Sequence, residues 1–231
     1  MQTLRRPASL PLEGSVPWPA PLRSLAAGWS VRVAEGEVLV REGEAAPSWH
    51  FLLAGAVSLS CTHSSGRRCV LAILGPGDLL TPASHDLGVL PSLRPDARAL
   101  VESTMLVIAA HEFEHLVRGD GDVALWLCSI LKRQTERFQS AIARAVGLRV
   151  HERVLATLLD LALSHGRPTP DGTRISFPLS QETVAFMVGA TRESVNRSMK
   201  RLEAEGAVRR SGDSYVVLTG CVGQDPADGS R

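Results

Sequence analysis

The stretch from Asp122 to Val146 contains neither glycine nor proline, in a chain of 231 residues that has 20 glycines and 14 prolines. Apolar residues recur within this stretch mostly three or four positions apart, at Leu127, Leu131, Phe138 and Ile142. This spacing predicts one amphipathic helix of about 37 Å, at about 1.5 Å per residue, which we place within residues 120–147. Because so long a helix has more apolar stripe than one small domain can cover, we expect a second copy of the helix to cover it in a parallel homodimer.

Before this helix, from about residue 29 to residue 109, apolar and polar residues alternate in short segments. Val31 and Val33 belong to one segment and Val38 and Val40 to the next, with Gly36 between them. Later segments are separated by single glycines, by the polar turn SSGRR and by a Gly-Pro-Gly break. Alternation with a period of two, interrupted by turn residues, predicts an all-β barrel or sandwich domain at residues 25–119.

Residues 148–219 carry helical spacing, then the turn-rich segment HGRPTPDGT, a short strand, two helices and a hairpin. Ser180 and Thr191 are good N-caps for the two helices and are also predicted to contact DNA, and Gly189 permits a tight turn between the helices. Two short helices joined in this way predict a helix-turn-helix whose second helix is the recognition helix. One side of that second helix is apolar, and we expect it to be buried: Val195, Met199 and Leu202.

The opposite side of the second helix is polar and is the predicted DNA-binding face: Arg192, Glu193, Asn196, Arg197 and Lys200. Arginine pairs with guanine O6 and N7, and glutamate accepts from cytosine N4. Arg209 and Arg210 precede the turn SGD, which predicts a β-wing whose arginines contact phosphates. The competing interpretation is a charged, solvent-exposed face on a small helical subdomain. The order of cap, glycine turn and polar face favours double-stranded DNA as the partner.

Charge and cysteine content limit the remaining possibilities. The formal net charge of +1 excludes a globally basic nucleic-acid binder but leaves a local basic face open. Four cysteines are too sparse for a disulfide framework, so we expect a reducing cytoplasm. No apolar run approaches the roughly 20 residues that a membrane helix needs. Residues 1–24 are rich in proline and lack the apolar region of an export signal, so we expect a flexible arm there, and a disordered tail at residues 220–231.

Two stretches of the chain resemble the Crp/Fnr family of transcription regulators. GEVLVREGEAAPSWHFLLAGAVSLS is similar to the opening of the family's barrel, and TRESVNRSMKRLEAEG is similar to its recognition helix. The resemblance covers about residues 25–219. It implies an α+β fold with an N-terminal β-barrel (a cyclic-nucleotide-binding-like jelly roll), a long dimerisation helix and a C-terminal winged helix-turn-helix. It also implies RNA polymerase as a partner, and that a TGTGA-like half-site is read by Arg192, Glu193 and Arg197.

The resemblance further implies an effector pocket, for which the candidates are Leu79, Thr81, His85, Arg94 and Arg98. Cyclic-nucleotide binders of the family carry Gly-Glu and Arg-Ser where this chain has Thr81-Pro82 and Asp96-Ala97. Because an aspartate there repels the cyclic phosphate, we expect an effector other than cAMP. The fold requires no cofactor, the N-terminal arm has no cysteine for an iron–sulfur centre, and haem ligation by His85 stays open. The alternative is a regulator without an effector, controlled by its own expression.

Residues 111–115 read HEFEH, which matches the H-E-x-x-H spacing of two histidines that bind zinc from one helix. A zinc hydrolase is therefore the competing enzyme hypothesis. No third ligand follows at a recognisable spacing, so we interpret HEFEH as part of a short helix that caps the barrel and expect no catalytic or metal site. Cys61, His63 and Cys69 flank the SSGRR turn, and a metal or redox role for them stays open beside an ordinary exposed hairpin.

Overall fold

The structure is a computed structural model that describes residues 28–41, 48–64, 66, 68–80 and 95–221. The predicted arm at residues 1–24 and residues 222–231 of the predicted tail lie outside the described residues. The first two residues of the tail predicted at 220–231 were wrongly assigned, because Gly220 and Cys221 belong to a 3-10 turn at Thr219–Cys221. The chain divides into two compact units. The first unit consists of residues 1–61 and 72–138, and the second of residues 62–71 and 139–231. The domain boundaries expected from the sequence remain predictions.

Eight short strands form two four-stranded sheets. Their bounds are β1 Trp29–Val33, β2 Val38–Val40, β3 Ser48–Ala54, β4 Val57–Thr62, β5 Arg68–Leu74, β6 Leu79–Leu80, β7 Asp96–Ala99 and β8 Ser103–Ala109. The first sheet has the order β1-β8-β3-β6 and the second the order β2-β7-β4-β5. In the first sheet β8 pairs antiparallel with both β1 and β3. The strands β1–β5 and β8 lie where the alternating pattern of the sequence predicted them, whereas β6 and β7 lie in segments for which that pattern predicted no strand.

The predicted barrel is open rather than closed, because no strand pairing joins the two sheets within the described residues. The edge strands β2 and β6 are three and two residues long, too short to carry a hydrogen-bonded ladder round to the other sheet. Both faces of the first sheet are nevertheless buried. Phe51 and Leu52 follow each other in β3 and so point to opposite faces, and both are fully buried. The fold is the jelly roll that the resemblance implied, built from two open sheets.

Two helices, α1 and α2, cover the Phe51 face of the first sheet and have the bounds Ala110–Gly119 and Gly121–Gly147. The 27 residues of α2 confirm the helix predicted from the stretch without glycine or proline. Phe113 of α1 is fully buried, and its ring centroid lies 4.8 Å from that of Trp49 and 5.2 Å from that of Phe51. The Phe51 ring in turn lies 5.5 Å from Trp126 of α2. This aromatic cluster fastens both helices to the sheet.

The burial of Phe113 explains the HEFEH motif. Phe113 is the third residue of the motif, and a helix that docks through it leaves His111 and His115 exposed on its other side. The short helix predicted at this place is confirmed. Within the described part of the chain, no three or more His, Cys, Asp or Glu side chains form a group that could hold a metal ion. Phe113 of the motif packs α1 onto the sheet.

A buried carboxylate joins α2 to the segment around β6. Asp78 is 2% exposed, and its Oδ2 accepts a hydrogen bond from the Arg137 guanidinium at 2.7 Å. A second guanidinium, that of Arg133, lies 3.5 Å from Oδ1. One residue further along α2, the Gln134 side chain donates to the Leu79 carbonyl at 2.8 Å. Polar side chains of α2 thus anchor the helix on β6 beside the aromatic cluster.

The second unit combines helices with a third sheet. Its elements are α3 Val150–His165, β9 Gly166–Thr169, β10 Gly172–Ile175, α4 Gln181–Val188, α5 Arg192–Ala204, β11 Val208–Ser211, β12 Ser214–Leu218 and a 3-10 turn at Thr219–Cys221. The sheet has the order β11-β12-β10-β9. The helices α3, α4 and α5 share a core in which Leu158, Val184 and Val195 are fully buried.

One strand of this unit was missed in the sequence. The segment HGRPTPDGT, which was described only as turn-rich, contains strand β9, the turn of the β9–β10 hairpin and the beginning of β10. Pro168 lies inside β9 opposite Thr173. A proline is tolerated there because β9 is an edge strand, whose outer side needs no ladder donor.

Candidate nucleic-acid interface

A side-chain cap begins each of the helices α4 and α5. Ser180 Oγ accepts from the backbone N–H of Thr183 at 3.0 Å, and Thr191 Oγ1 accepts from the backbone N–H of Ser194 at 3.2 Å. Between the helices, Gly189 has a φ of 62° and a ψ of 42°, the left-handed conformation that glycine adopts at low cost. The caps and the turn glycine predicted from the sequence are confirmed, and together they form a helix-turn-helix.

Helix α5 has an apolar and a polar side. Val195, Met199 and Leu202 are at most 1% exposed, which confirms the predicted buried side. The opposite side carries four exposed residues and one half-buried residue: Arg192, Glu193, Arg197 and Lys200, with Asn196 among them. The structure therefore brings the predicted face together on one helix surface. Three cations and one carboxylate on that surface suit a partner with phosphates and base edges.

Glu193 is held in its ionised form at the beginning of α5. Its own backbone N–H is the largest influence that lowers the pKa of the carboxyl, and the Thr191 hydroxyl is the second. Desolvation opposes them, while Arg192 and Arg197 add further lowering of the pKa. An ionised carboxylate accepts hydrogen bonds and donates none, as recognition of the cytosine N4 amino group requires.

The cap of α5 also positions Arg197. The Arg197 guanidinium donates to Ser194 Oγ at 3.3 Å, and the Thr191 hydroxyl donates to the same oxygen at 3.1 Å. Ser194 was not among the residues predicted for the site. Its signal in the sequence is a spacing of three positions from both Thr191 and Arg197, which places the three side chains next to one another on a helix.

Asn196 has a partner that sequence reasoning missed. Asn196 Nδ2 donates to Gln181 Oε1 at 2.9 Å, although the two residues are 15 positions apart. Gln181 is the first residue of α4, so this bond crosses from one helix to the other. No local spacing in the sequence points to the pair, because the angle between the two helices determines it.

The predicted wing is the β11–β12 hairpin, and its two arginines differ in their surroundings. Arg209 forms an ion pair with Asp171 at 2.7 Å, whereas the Arg210 side chain donates to the Gly212 carbonyl at 3.3 Å. Asp171 lies in the β9–β10 turn, which the sequence interpretation did not recognise as a hairpin. Within the described residues, the charge of Arg209 is thus paired with a carboxylate, whereas the exposed Arg210 contacts a neutral carbonyl. A phosphate contact by these arginines remains a prediction.

The candidates for the effector pocket do not come together within the described residues. Leu79 is 2% exposed and belongs to the hydrophobic cluster around Phe51, between the first sheet and the helices. Arg98 lies in β7 of the second sheet and donates to the Gly36 carbonyl at 2.6 Å. The remaining candidates lie outside the described residues: Thr81, His85 and Arg94. A pocket formed by these five residues remains a prediction.

The four residues predicted for the dimer contact have different environments. Leu127 is half-buried against the hydrophobic cluster of its own unit. Leu131, Phe138 and Ile142 are 37%, 41% and 66% exposed. These three residues are available at the surface of α2, whereas Leu127 already packs within its own chain.

The sequence left open a metal or redox role for the residues that flank the SSGRR turn, and it showed no apolar run long enough for a membrane helix. Cys61 is half-buried, while His63 and Cys69 are exposed. Among the helices of the described residues, none has the length and apolar character that crossing a membrane demands.

Comparisons with known proteins agree with this geometry. Residues 30–120 match the family profile of the cyclic nucleotide-binding domain, and residues 152–219 match that of the Crp-like helix-turn-helix domain. The cAMP-activated global transcriptional regulator CRP of Pasteurella multocida is 28% identical over 181 residues, which are 78% of this chain and 85% of the relative. The CRP-like cAMP-activated global transcriptional regulator of Mycobacterium tuberculosis is 26% identical over 187 residues, with coverage of 79% and 80%.

Solved structures share the fold. FixK2 from Bradyrhizobium japonicum has a TM-score of 0.70 at 23% identity and covers 84% of this chain and 93% of its own. A mutant of CooA from Carboxydothermus hydrogenoformans has a TM-score of 0.69 at 19% identity, with coverage of 95% and 94%. Both domain profiles match this chain in order, and the two curated relatives are covered over 85% and 80% of their length, so the chain belongs to the Crp/Fnr family of DNA-binding transcription regulators.

Proposed function

We propose that this regulator acts as a parallel homodimer that places its two α5 helices in successive major grooves of palindromic double-stranded DNA. The observation that carries the proposal is the outward face of α5, where three cations and one carboxylate lie opposite a fully buried apolar side. Two-fold symmetry of such a dimer matches half-sites about 34 Å apart, one turn of DNA.

An exposed stripe on α2 supports the dimer. Successive spacings of three and four residues connect five exposed side chains, the pattern of a coiled-coil seam: Cys128, Leu131, Thr135, Phe138 and Ile142. Large apolar side chains at such positions are stabilised when a second helix covers them. We therefore assign this seam to the contact between the two copies of α2.

The dimer is tested by placing a charge on the seam. Ile142→Glu should convert the protein to a monomer in analytical ultracentrifugation and abolish tight binding to palindromic DNA. The matched control is Leu125→Glu, because Leu125 is 71% exposed on the same helix but lies about 100° around it from Ile142. If both variants stay dimeric, the seam is assigned to the wrong surface.

Base reading is tested at Arg197. Arg197→Ala should cost about 1–3 kcal/mol at the cognate site and much less on random DNA, measured by fluorescence anisotropy. Arg201→Ala removes the same charge from α5, but this guanidinium is held by Glu205 at 2.6 Å and should cost little on either DNA. Equal losses for Arg197→Ala on both DNAs would mean that Arg197 contacts only phosphates.

The proposed effector is a molecule other than cAMP, although the two relatives above are named as cAMP-activated. Ala97 is fully buried in β7 opposite Leu59, so this part of the strand offers a methyl group where a phosphate needs a donor. Operator affinity should be the same with and without cAMP. An increase of about tenfold or more with cAMP would contradict the proposal. Equal affinity in a metabolite extract would favour the regulator without an effector.

The partners and compartment follow from this role. We propose RNA polymerase as the protein partner and the cytoplasm as the site of action, because transcription takes place there.

The homologues are transcription regulators rather than enzymes. A structural explanation of HEFEH, in which Phe113 packs against Phe51, supports the proposal that the protein is not a hydrolase.

A further inference from the structure

The side chain of Asn196 is fixed before any DNA is bound. Asn196 lies in the middle of the outward face of α5, one turn after Arg192 and one turn before Lys200. Its Nδ2 donates to Gln181 Oε1 at 2.9 Å, and both residues are partly buried. The bond joins the first turn of α4 to the recognition helix, so the orientation of the Asn196 amide is set by the helix-turn-helix itself.

This bond determines what Asn196 can still offer to a base. An asparagine amide has one carbonyl oxygen and two N–H donors. Gln181 takes one N–H, which leaves Oδ1 as an acceptor and the other N–H as a donor. Adenine presents a donor at N6 and an acceptor at N7 in the major groove, which matches both groups at once. Guanine presents two acceptors there, cytosine a single amino donor and thymine an acceptor beside a methyl group, so each satisfies at most one of the two.

We propose that Asn196 is a specificity-determining residue that selects adenine at one position of each half-site, and that Gln181 is its positioning residue. This inference rests on the proposed DNA-binding function and adds to it the base read by a fourth side chain beside Arg192, Glu193 and Arg197. The fixed amide gains selectivity because less rotamer freedom is lost when the base is bound.

Two substitutions of Gln181 separate its effect on the orientation of Asn196 from any effect on phosphate binding. In Gln181→Ala no acceptor remains for Asn196, whose amide is then free to turn and to accept other bases. In Gln181→Glu a carboxylate oxygen still accepts from Asn196 Nδ2, so the orientation is kept. The added negative charge should lower affinity for all sequences to a similar extent, because it repels the phosphate backbone.

The experiment is selection of binding sites from a randomised palindromic DNA library by the full-length dimer and its variants. The wild-type protein should select adenine at one position per half-site with a preference of about 5- to 150-fold, the range of a good bidentate contact. Asn196→Ala should lose that preference at this position only, while positions dependent on Arg197 stay unchanged. Gln181→Ala should weaken the preference several-fold, and Gln181→Glu should keep it despite lower overall affinity.

The outcomes distinguish this inference from the function on which it rests. If Asn196→Ala selects the same sites as the wild-type protein, Asn196 is not a base reader, although the DNA-binding proposal stands. If Gln181→Ala and Gln181→Glu are equally selective, the positioning role of Gln181 is overturned. If the wild-type protein selects no palindrome at all, the proposed function itself fails, and the inference fails with it.

Discussion

We expect Asp78→Ala to destabilise the first unit by about 3 kcal/mol, because the Asp78 carboxylate anchors α2 on β6. The side chain is 2% exposed. It accepts from the backbone N–H of Gly75 at 2.9 Å and from Arg137 at 2.7 Å, with Arg133 3.5 Å away. Truncation removes all of these partners from one buried position.

The magnitude follows from what each partner loses. Gly75 is buried, so its N–H is left without an acceptor at a cost of about 1–3 kcal/mol. The Arg133 and Arg137 side chains are 46% and 42% exposed and can return to water. Their ion pairs are therefore discounted towards the value of surface pairs, about 1 kcal/mol or less each. Asp78→Asn keeps an acceptor for Gly75 and removes only the charge, so it should cost about 1 kcal/mol.

Urea unfolding followed by tryptophan fluorescence measures this loss selectively. Of the four tryptophans, the three at described positions, Trp29, Trp49 and Trp126, belong to the first unit. Protein concentration is kept constant, since dimerisation also adds to apparent stability. The control is Glu136→Ala on the same helix, where a 60% exposed carboxylate pairs with Lys132 at 3.7 Å and should contribute less than about 0.5 kcal/mol.

Two results would refute this reasoning. One is a loss below about 1 kcal/mol for Asp78→Ala, which would mean that Gly75 and the arginines find other partners. The other comes from a double-mutant cycle with Arg137→Ala. Additivity of the two changes within about 0.5 kcal/mol would show that the carboxylate and the guanidinium stabilise the unit independently.

Three further predictions test other parts of the structure. Mild oxidation should link two chains through Cys128 if the helices are parallel and in register, and Cys128→Ser should remain unlinked on a non-reducing gel. Gly189→Ala should lower the stability of the second unit by about 1 kcal/mol through its φ of 62° alone, as no atom lies within 4 Å of the added Cβ. Circular dichroism measures this, and the control is Gly220→Ala in the same unit, where the added Cβ also meets no atom within 4 Å and φ is not positive. Burial lowers the pKa of His50, while a backbone hydrogen bond at Ser48 opposes it. Between the folded-state and unfolded-state pKa values, His50 is protonated in the unfolded chain and neutral in the folded chain. The free energy of unfolding should therefore fall as pH drops below about 6.5 and level off below the folded-state pKa. His50→Gln should remove that part of the pH dependence of the urea midpoint.

Much of the architecture could be predicted because it depends on local patterns. A period of two indicated the strands, and a run without glycine or proline indicated α2. The caps Ser180 and Thr191 act on backbone groups three positions away, and Gly189 acts through its own φ angle. Interactions over so few residues can be read from a sequence, since the chain geometry that joins the partners is nearly fixed.

The same approach failed where a partner is distant along the chain or where strand context matters. The prolines and glycines of HGRPTPDGT indicated turns and gave no sign of β9, whose edge position tolerates Pro168. Closure of the sheets depends on the lengths of β2 and β6, which alternation alone does not predict. HEFEH satisfied a metal-binding spacing, and only the packing of Phe113 against Trp49 and Phe51 revealed its role.

The sequence by itself determined which segments form the DNA-binding helices, which side of α5 is buried and which family the chain resembles. Only the tertiary structure decided that Gln181 holds Asn196 and that Asp78 binds Arg137, pairs that are 15 and 59 positions apart. Local preferences determine the conformation of each segment. Contacts between distant side chains depend on helix angles and strand registers, which the packing of the whole core determines.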